Sequence, residues 1–406
     1  MTRCCESVCF INGTFPPEIH GGAENYIINT AKELQSRGIE VCVITTKKLD
    51  RLSDTKVESS TVKEIPVFRF APPNIASRST FPERPLYQKA IWRLIDATNP
   101  YSYYQVSKLL DTLKPDLVHT NNLMGISSLV TRAIRESGSD HLHTLHDYSL
   151  LCPTGSPRTN VEKEAVRTIS NSDPVVDAFT KFQKLLAVSP DIVTAPSNHV
   201  ISEHKKRGLF DQTPTHRVQL GVAKTKDPVK TESLNHRVLY VGRITERKGL
   251  DVLLEASKSM ESVHFDICGT GPYEDCVKNI AKSIDNVVYH GYVKDGKLQR
   301  LRSKADLAVV PSLWMENSPL TIYESFARGI PVVASDIGGI PELIEHGETG
   351  ALFEPGDSNS LVDTLNEMLD KDKISRMSSN VLTWADNHTI ESHVDQLIPL
   401  YNRALE

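Results

Sequence analysis

The sequence is short of several signals that would have decided its class at once. It has no run of about 18 apolar residues, so nothing in it reads as a membrane-spanning helix. From Met1-Thr2-Arg3 it passes straight into a strand-like Val8-Cys9-Phe10-Ile11, without the apolar core and cleavage site of a signal peptide. The expected location is the cytoplasm, with peripheral contact at the inner face of the membrane as the finer expectation. Neither CxxC pairs nor zinc spacing occur among Cys4, Cys5, Cys9, Cys42, Cys152, Cys268 and Cys276. This scattered, odd-numbered set predicts reduced thiols rather than a disulfide framework or a metal centre. Charge of one sign is also lacking: a formal charge of −5 over 406 residues gives no general attraction for polyanions and excludes nucleic acid as a favoured partner. Internal repeats, low-complexity tracts, the P-loop and the complete GxGxxG fingerprint are absent as well.

What remains is an alternation of short β-branched runs with amphipathic helical stretches, the pattern of parallel βαβ units. Strand candidates fall at 8–12, 40–45, 117–119, 142–145 and 192–195, then at 238–241, 264–268, 287–289, 307–311 and 332–335. A chain of 406 residues exceeds the length one core usually serves. The expected class is therefore α/β, with two Rossmann-like, doubly wound domains. The expected bounds are 1–220 for the first domain, 221–236 for a linker marked by Gly221, Lys224 to Asp227 and Pro228, and 237–385 for the second. The last stretch, 386–406, is helical in pattern with Val394, Leu397, Ile398 and Tyr401 on one face, and is expected to pack on one domain or the other.

Five segments carry chemistry. Phe15-Pro16-Pro17-Glu18-Ile19-His20-Gly21-Gly22 precedes a helix with Ile27, Ala31 and Leu34 on one face, and Gly21 and Gly22 let backbone N–H groups approach an anion; a ligand-free tight turn is the alternative. Gly242-Arg243-Ile244-Thr245-Glu246-Arg247-Lys248-Gly249 follows an apolar strand. There Arg243 and Lys248 either neutralise a phosphate leaving group without a metal or form a solvated basic loop. Gly269-Thr270-Gly271-Pro272 begins like a dinucleotide fingerprint, but Glu274 stands where the third glycine should be.

The most specific run is Glu316-Asn317-Ser318-Pro319-Leu320-Thr321-Ile322-Tyr323-Glu324. Ser318 is expected to cap a helix with Pro319 in its first turn, leaving N–H groups near 319–321 for an anion. Glu316 and Glu324 either accept hydrogen bonds from vicinal hydroxyls or serve as the acid and base of a hydrolase; the basic residues nearby favour the first. In the first half, His146-Asp147 lies just beyond the strand 142–145, where the histidine either meets a sugar or is a satisfied structural residue, the reading given to His119 and His143. Residues 78–93, with Arg78, Arg84, Lys89 and Arg93 against Phe81, Tyr87 and Trp92, read as a basic amphipathic segment. It is either a membrane-facing surface or an ordinary solvated helix.

Together these segments resemble the family 4 retaining glycosyltransferases, of the GT-B fold, over nearly the whole chain. Glu316 and Glu324 match the family's E-x7-E motif, and Arg243 and Lys248 its GR-x4-KG pair. The resemblance implies two facing domains with the active site in the cleft between them. It implies that Glu324 binds ribose hydroxyls, Glu316 the donor-sugar hydroxyls, the backbone of Asn317, Ser318, Pro319, Leu320 and Thr321 the phosphates, and Arg243 and Lys248 the diphosphate. Gly21 and Gly22 are expected to close on the donor phosphate, His146 to meet the donor sugar, and Gly242, Gly269, Gly271 and residues 290–293 to lie near the nucleotide.

The expected reaction is transfer of a hexosyl-type sugar from a UDP- or GDP-sugar to a glycan, lipid-linked or small-molecule acceptor in polysaccharide or glycoconjugate biosynthesis. The nucleotide sugar is then a co-substrate, with no resident cofactor and no metal. Rival readings are a non-catalytic nucleotide-sugar-binding protein and, through the GxG at 269–271, an oxidoreductase.

Overall fold

The computed structural model describes residues 4–18, 21–76, 85–153, 174–225 and 234–406. His20, Arg78, Phe81, Arg84, Asp227 and Pro228 lie outside the described residues. Among those described, the chain forms two compact units: one from the stretches up to 153, 174–220 and 390–406, the other from 221–389.

The first unit is built on eight strands: β1 (Ser7–Ile11), β2 (Glu40–Thr46), β3 (Glu58–Val62), β4 (Ile65–Phe70), β5 (Leu117–Thr120), β6 (Asp140–Thr144), β7 (Ile192–Ala195) and β8 (Thr215–Arg217). Their order is β3-β4-β2-β1-β5-β6-β7-β8. All pairs are parallel except the β3–β4 hairpin, and Ile11 lies level with Ile44 of β2 and Thr120 of β5. The residues of β5 and β7 are buried without alternation, because helices cover both faces of a parallel sheet. Ile27, Ala31 and Leu34 of the helix Gly22–Ser36 are fully buried, and the helix is followed by Gly38 in the left-handed region.

Three features of this unit depart from expectation. The β3–β4 hairpin turns through Lys63 and Glu64, both with positive φ (49° and 72°), instead of the glycine or asparagine that would have announced it. The terminal helix is Ile390–Ala404, shorter than 386–406, because the helix Lys371–Asn387 runs into that stretch and the two break at His388-Thr389. It belongs to the first unit, with Val394, Leu397 and Tyr401 fully buried.

The third departure concerns two residues of the basic segment, Trp92 and Arg93, which are not on a surface. In the helix Leu86–Ala97, Trp92 and Arg93 face inward. Arg93 pairs with Asp96 at 2.6 Å and donates to the Ser149 carbonyl at 2.7 Å, while Asp96 accepts the Gly125 N–H at 3.0 Å. What this helix shows to solvent includes Tyr87, Ile91 and Leu94.

The second unit is an all-parallel sheet of six strands: β9 (Arg237–Val241), β10 (His264–Cys268), β11 (Val287–Gly291), β12 (Leu307–Val310), β13 (Val332–Ser335) and β14 (Gly350–Phe353). The order β11-β10-β9-β12-β13-β14 is the 3-2-1-4-5-6 arrangement of dinucleotide-binding folds. Strand order reverses between β9 and β12, so the loops leaving those strands flank the crevice where such sheets bind ligands. Among the described residues, no helix is long and apolar enough to cross a membrane.

Candidate active site

In the second unit the loop after β9 is seated by glycines. At Gly249 φ is +69°, and a Cβ there would stand 1.8 Å from the Pro311 carbonyl oxygen, so the loop lies directly on the segment leaving β12. The Leu313 N–H donates to the Arg247 carbonyl at 2.8 Å across the same contact. Lys248 is thereby brought to the run Ser312-Leu313-Trp314-Met315-Glu316.

Its ammonium donates to Oε1 of Glu316, which also accepts from the Ser312 hydroxyl and the Trp314 indole N–H, each at 2.8 Å. Glu316 is 6% exposed. Three donors on one oxygen fix the carboxylate through Oε1. The Arg247 guanidinium covers the Trp314 ring at 5.0 Å. Burial and the adjacent Glu316 charge push the Tyr240 phenol well up, so it stays neutral and donates to the Arg243 carbonyl at 3.0 Å. Arg243 itself is exposed.

The helix after this run is Leu320–Phe326, with Pro319 rather than Ser318 at its N-cap. Proline fixes φ near −65° at the helix boundary, and the Ser318 hydroxyl instead pairs with the Tyr323 hydroxyl at 2.8 Å. Asn317 is buried, Leu320 and Thr321 are half-buried, and Thr321 Oγ1 donates to the Val241 carbonyl at the end of β9. Glu324, on the second turn, accepts from Arg302 and keeps 45% of its side chain exposed. The two glutamates of the motif are thus held differently: one buried by three donors, the other half-exposed against one guanidinium.

Gly269 and Gly271 serve a contact within the protein. With φ of +144° and +159°, their Cβ positions would fall 1.8 Å from the Gly242 oxygen and 2.2 Å from the Ile244 oxygen. The loops after β9 and β10 zip together there, Gly242 N–H to the Cys268 carbonyl at 3.0 Å and Ile244 N–H to the Thr270 carbonyl at 2.8 Å. At the 290–293 stretch, His290 pairs with Asp266, which also holds Arg237.

In the first unit, side-chain amides hold the residues beyond β6. Two consecutive asparagines at the end of β5 hold two consecutive residues beyond β6. Oδ1 of Asn121 meets Nε2 of His146 at 2.8 Å, and Nδ2 of Asn122 donates to Asp147 at 2.6 Å. The Tyr26 ring lies edge-on to His146, 4.6 Å between centroids. Burial, with the nearby His393 adding to it, lowers the His146 pKa to about 3, so the imidazole is neutral at physiological pH.

The buried Glu24 accepts from the Thr14 hydroxyl and from the Gly21 N–H at 3.1 Å, which orients the glycine loop. Gly21 is extended (φ −168°), exposed, and has nothing within 4 Å of its Cβ position. Gly22 is exposed beside it. His119 and His143 are buried and hydrogen-bonded, His119 to Tyr401 and Thr144, His143 to Thr120.

Sequence reasoning missed Ser312, Trp314, Arg302, Tyr26 and the Asn121-Asn122 pair. Ser312 and Trp314 stand four and two residues before Glu316, the alternate spacing that lets an extended segment turn them the same way. Two adjacent amides directly after an apolar strand were the available mark of Asn121 and Asn122. Among the described residues no group of three or more His, Cys, Asp or Glu side chains is placed to hold a metal ion.

Two Rossmann-like sheets, one with charged loops at its strand-order reversal, are the parts of the GT-B fold. Solved structures carry the fold over the whole chain. Sucrose-phosphate synthase from Thermosynechococcus elongatus has a TM-score of 0.73 at 20% identity, covering 98% of this chain and 98% of its own. HepE from Anabaena, solved in complex with UDP, has a TM-score of 0.69 at 20% identity, covering 98% and 100%.

A family model described as Glycosyltransferase Family 4 matches residues 20–225, and one described as Glycosyl transferases group 1 matches 224–381. The chain belongs to glycosyltransferase family 4. An uncharacterised 42.6 kDa protein in the cps region of Klebsiella pneumoniae is 25% identical over 83% of this chain and 87% of its own. The amylovoran biosynthesis glycosyltransferase AmsK of Erwinia amylovora is 34% identical over 35% of this chain and 39% of its own. The enzyme reading stands over the non-catalytic and oxidoreductase ones.

Proposed function

We propose that the chain is a retaining hexosyltransferase that draws its sugar from a UDP- or GDP-sugar, without a metal, and passes it to a glycan or lipid-linked acceptor in surface polysaccharide synthesis. The observation that carries this is Glu316, a buried carboxylate fixed through one oxygen by Lys248, Ser312 and Trp314, at the strand-order reversal of a nucleotide-binding sheet. In this reading Oε2 of Glu316 accepts from donor-sugar hydroxyls and Glu324 from the ribose hydroxyls, displacing or sharing Arg302. Backbone groups from Asn317 to Thr321 take the phosphates.

Lys248 and Arg243 stabilise the departing diphosphate. Preorganised charges of this kind act where negative charge develops in the transition state. The neutral His146 takes the donor sugar, and Gly21 and Gly22 bring backbone N–H groups to its phosphate. Departure of the diphosphate and arrival of the acceptor on the same face, through an oxocarbenium-like transition state, retains configuration; a donor phosphate oxygen receives the acceptor's proton. The UDP choice draws on the HepE complex, and the polysaccharide setting on the amylovoran and cps-region relatives.

A binding and turnover screen of UDP-, GDP- and ADP-sugars in EDTA, repeated on Glu324→Ala, tests the proposal. One nucleotide class is expected to bind and be slowly hydrolysed despite EDTA, and to be lost in the variant. Binding of none, or an absolute requirement for a divalent ion, overturns it. An inverted anomeric product by NMR overturns the stereochemical part.

A further inference from the structure

The geometry points to Asn121 as the positioning residue that selects one tautomer of His146, and so decides which kind of donor-sugar group this histidine meets. The inference rests on the reading of His146 as a sugar contact and sharpens it. Asn121 is 2% exposed and its amide has two defined neighbours. Nδ2 faces the carbonyl oxygen of His119 at 3.2 Å, and Oδ1 faces Nε2 of His146 at 2.8 Å.

A carbonyl oxygen can only accept, so the NH2 end of the amide must point at His119 and the oxygen must point at the imidazole. That oxygen also can only accept. Nε2 of His146 therefore carries the hydrogen, and in the neutral ring Nδ1 is left as a lone pair.

The ring is held from a second side as well. Tyr26 packs edge-on against it, and the Tyr26 hydroxyl lies 3.3 Å from Nε2 of His393 in the terminal helix. Nδ1 of His393 donates to the Gln219 carbonyl at 2.6 Å, which makes its Nε2 the acceptor and Tyr26 the donor. The terminal helix thus reaches His146 through one tyrosine. A histidine fixed in this way accepts through Nδ1 and has no hydrogen there to give, so the sugar group opposite it is a hydroxyl acting as donor, not a carboxylate, a phosphate or an ether oxygen.

The test is the nitrogen spectrum of the full-length protein labelled with 15N-histidine, with His146 assigned by its loss in His146→Phe. The expected result is the Nε2–H pattern between pH 6.5 and 8. Asn121→Leu abolishes that single-tautomer pattern and lowers kcat/KM for the nucleotide sugar about 10-fold or more. Asn121→Asp, whose carboxylate still accepts from Nε2–H, restores both at pH 8, which a loss of packing alone would not allow. An Nδ1–H pattern in the wild type, or an unchanged spectrum in Asn121→Leu, overturns the inference. If the tautomer is as expected but His146→Phe turns over the donor at the wild-type rate, the sugar contact falls. The hydroxyl assignment then falls with it, while the hold of Asn121 on the ring stands.

Discussion

The two units use charge in opposite places. In the first, the buried ion pair Arg93–Asp96 belongs to the scaffold, tying the helix Leu86–Ala97 to Ser149 and Gly125, while the surroundings of His146 are amides, a phenol and neutral imidazoles. In the second, two ion pairs stand in the candidate site itself: Lys248 with Glu316, Arg302 with Glu324. On the proposed function, the first unit would meet the sugar, where directional neutral hydrogen bonds discriminate among hydroxyls. The second would meet the diphosphate, where cations must be held ready without a ligand, as the pairing of Lys248 with a buried carboxylate would hold one.

The largest expected effect is on the scaffold pair. Arg93→Ala takes the guanidinium from the buried Asp96 and its hydrogen bond from the Ser149 carbonyl, and should cost about 3–5 kcal/mol of stability, measured by urea unfolding. A cost near zero would return Arg93 to the surface, membrane-facing or solvated, first expected for its segment. Next is the charged site, where Lys248→Met should lower kcat on the order of 10²-fold or more with the fold retained. Full turnover in that variant would remove charge from the account of the second unit.

Acid separates the units in another way. Burial lowers the pKa of His141 and His146 to about 3 and of His204 and His393 to about 4, and holds His119 and His143 well below the usual value. Each of these groups has a folded pKa below its unfolded value of about 6.5, so the unfolded chain binds more protons once the pH drops below that value. Their contribution is intact above pH 6.5 and is lost progressively as the pH falls from there to about 3. Hydrogen exchange corrected for intrinsic rates should show the first unit opening across that window ahead of the second. Simultaneous opening, or the reverse order, would contradict the division.

The smallest effects come from the glycines, and they divide the same way. Gly269→Ala meets the Gly242 oxygen and should destabilise the second unit by about 1–3 kcal/mol. Gly21→Ala meets nothing and should shift the melting free energy by less than about 0.5 kcal/mol, yet raise KM for the donor. A stability loss at Gly21 equal to that at Gly269 would make both glycines merely structural.

The inner parallel strands were legible as short apolar runs because both of their faces are covered, whereas the parallel edge strands β8 and β14 were missed: β8 is three half-buried residues, Thr215–Arg217, and β14 is four residues opened by Gly350. The hairpin β3–β4 was not legible either. Its outer strand is exposed and its turn uses Lys63-Glu64, so neither alternation nor turn residues marked it. Glu316, Glu324, Arg243 and Lys248 could be picked out because charged residues in fixed short spacing stand out from an apolar strand end. Their pairing could not, since Lys248 and Glu316 are 68 residues apart and meet only because Gly249 admits Pro311. Arg93 misled for the converse reason: with Asp96 three residues on, the pair looks the same in sequence whether it faces water or the core. His146 was found by its place beyond β6, but its partner Asn121 lies on the neighbouring strand end, a contact that only sheet order creates.

The most direct test of the division between the units is calorimetric binding of the free nucleoside diphosphate and of its sugar conjugate, in wild type, Lys248→Met and Asn121→Leu. The account predicts that Lys248→Met weakens both ligands and flattens their salt dependence, whereas Asn121→Leu binds the diphosphate as the wild type does and loses affinity for the sugar conjugate alone. Equal loss of the bare diphosphate in both variants would contradict it.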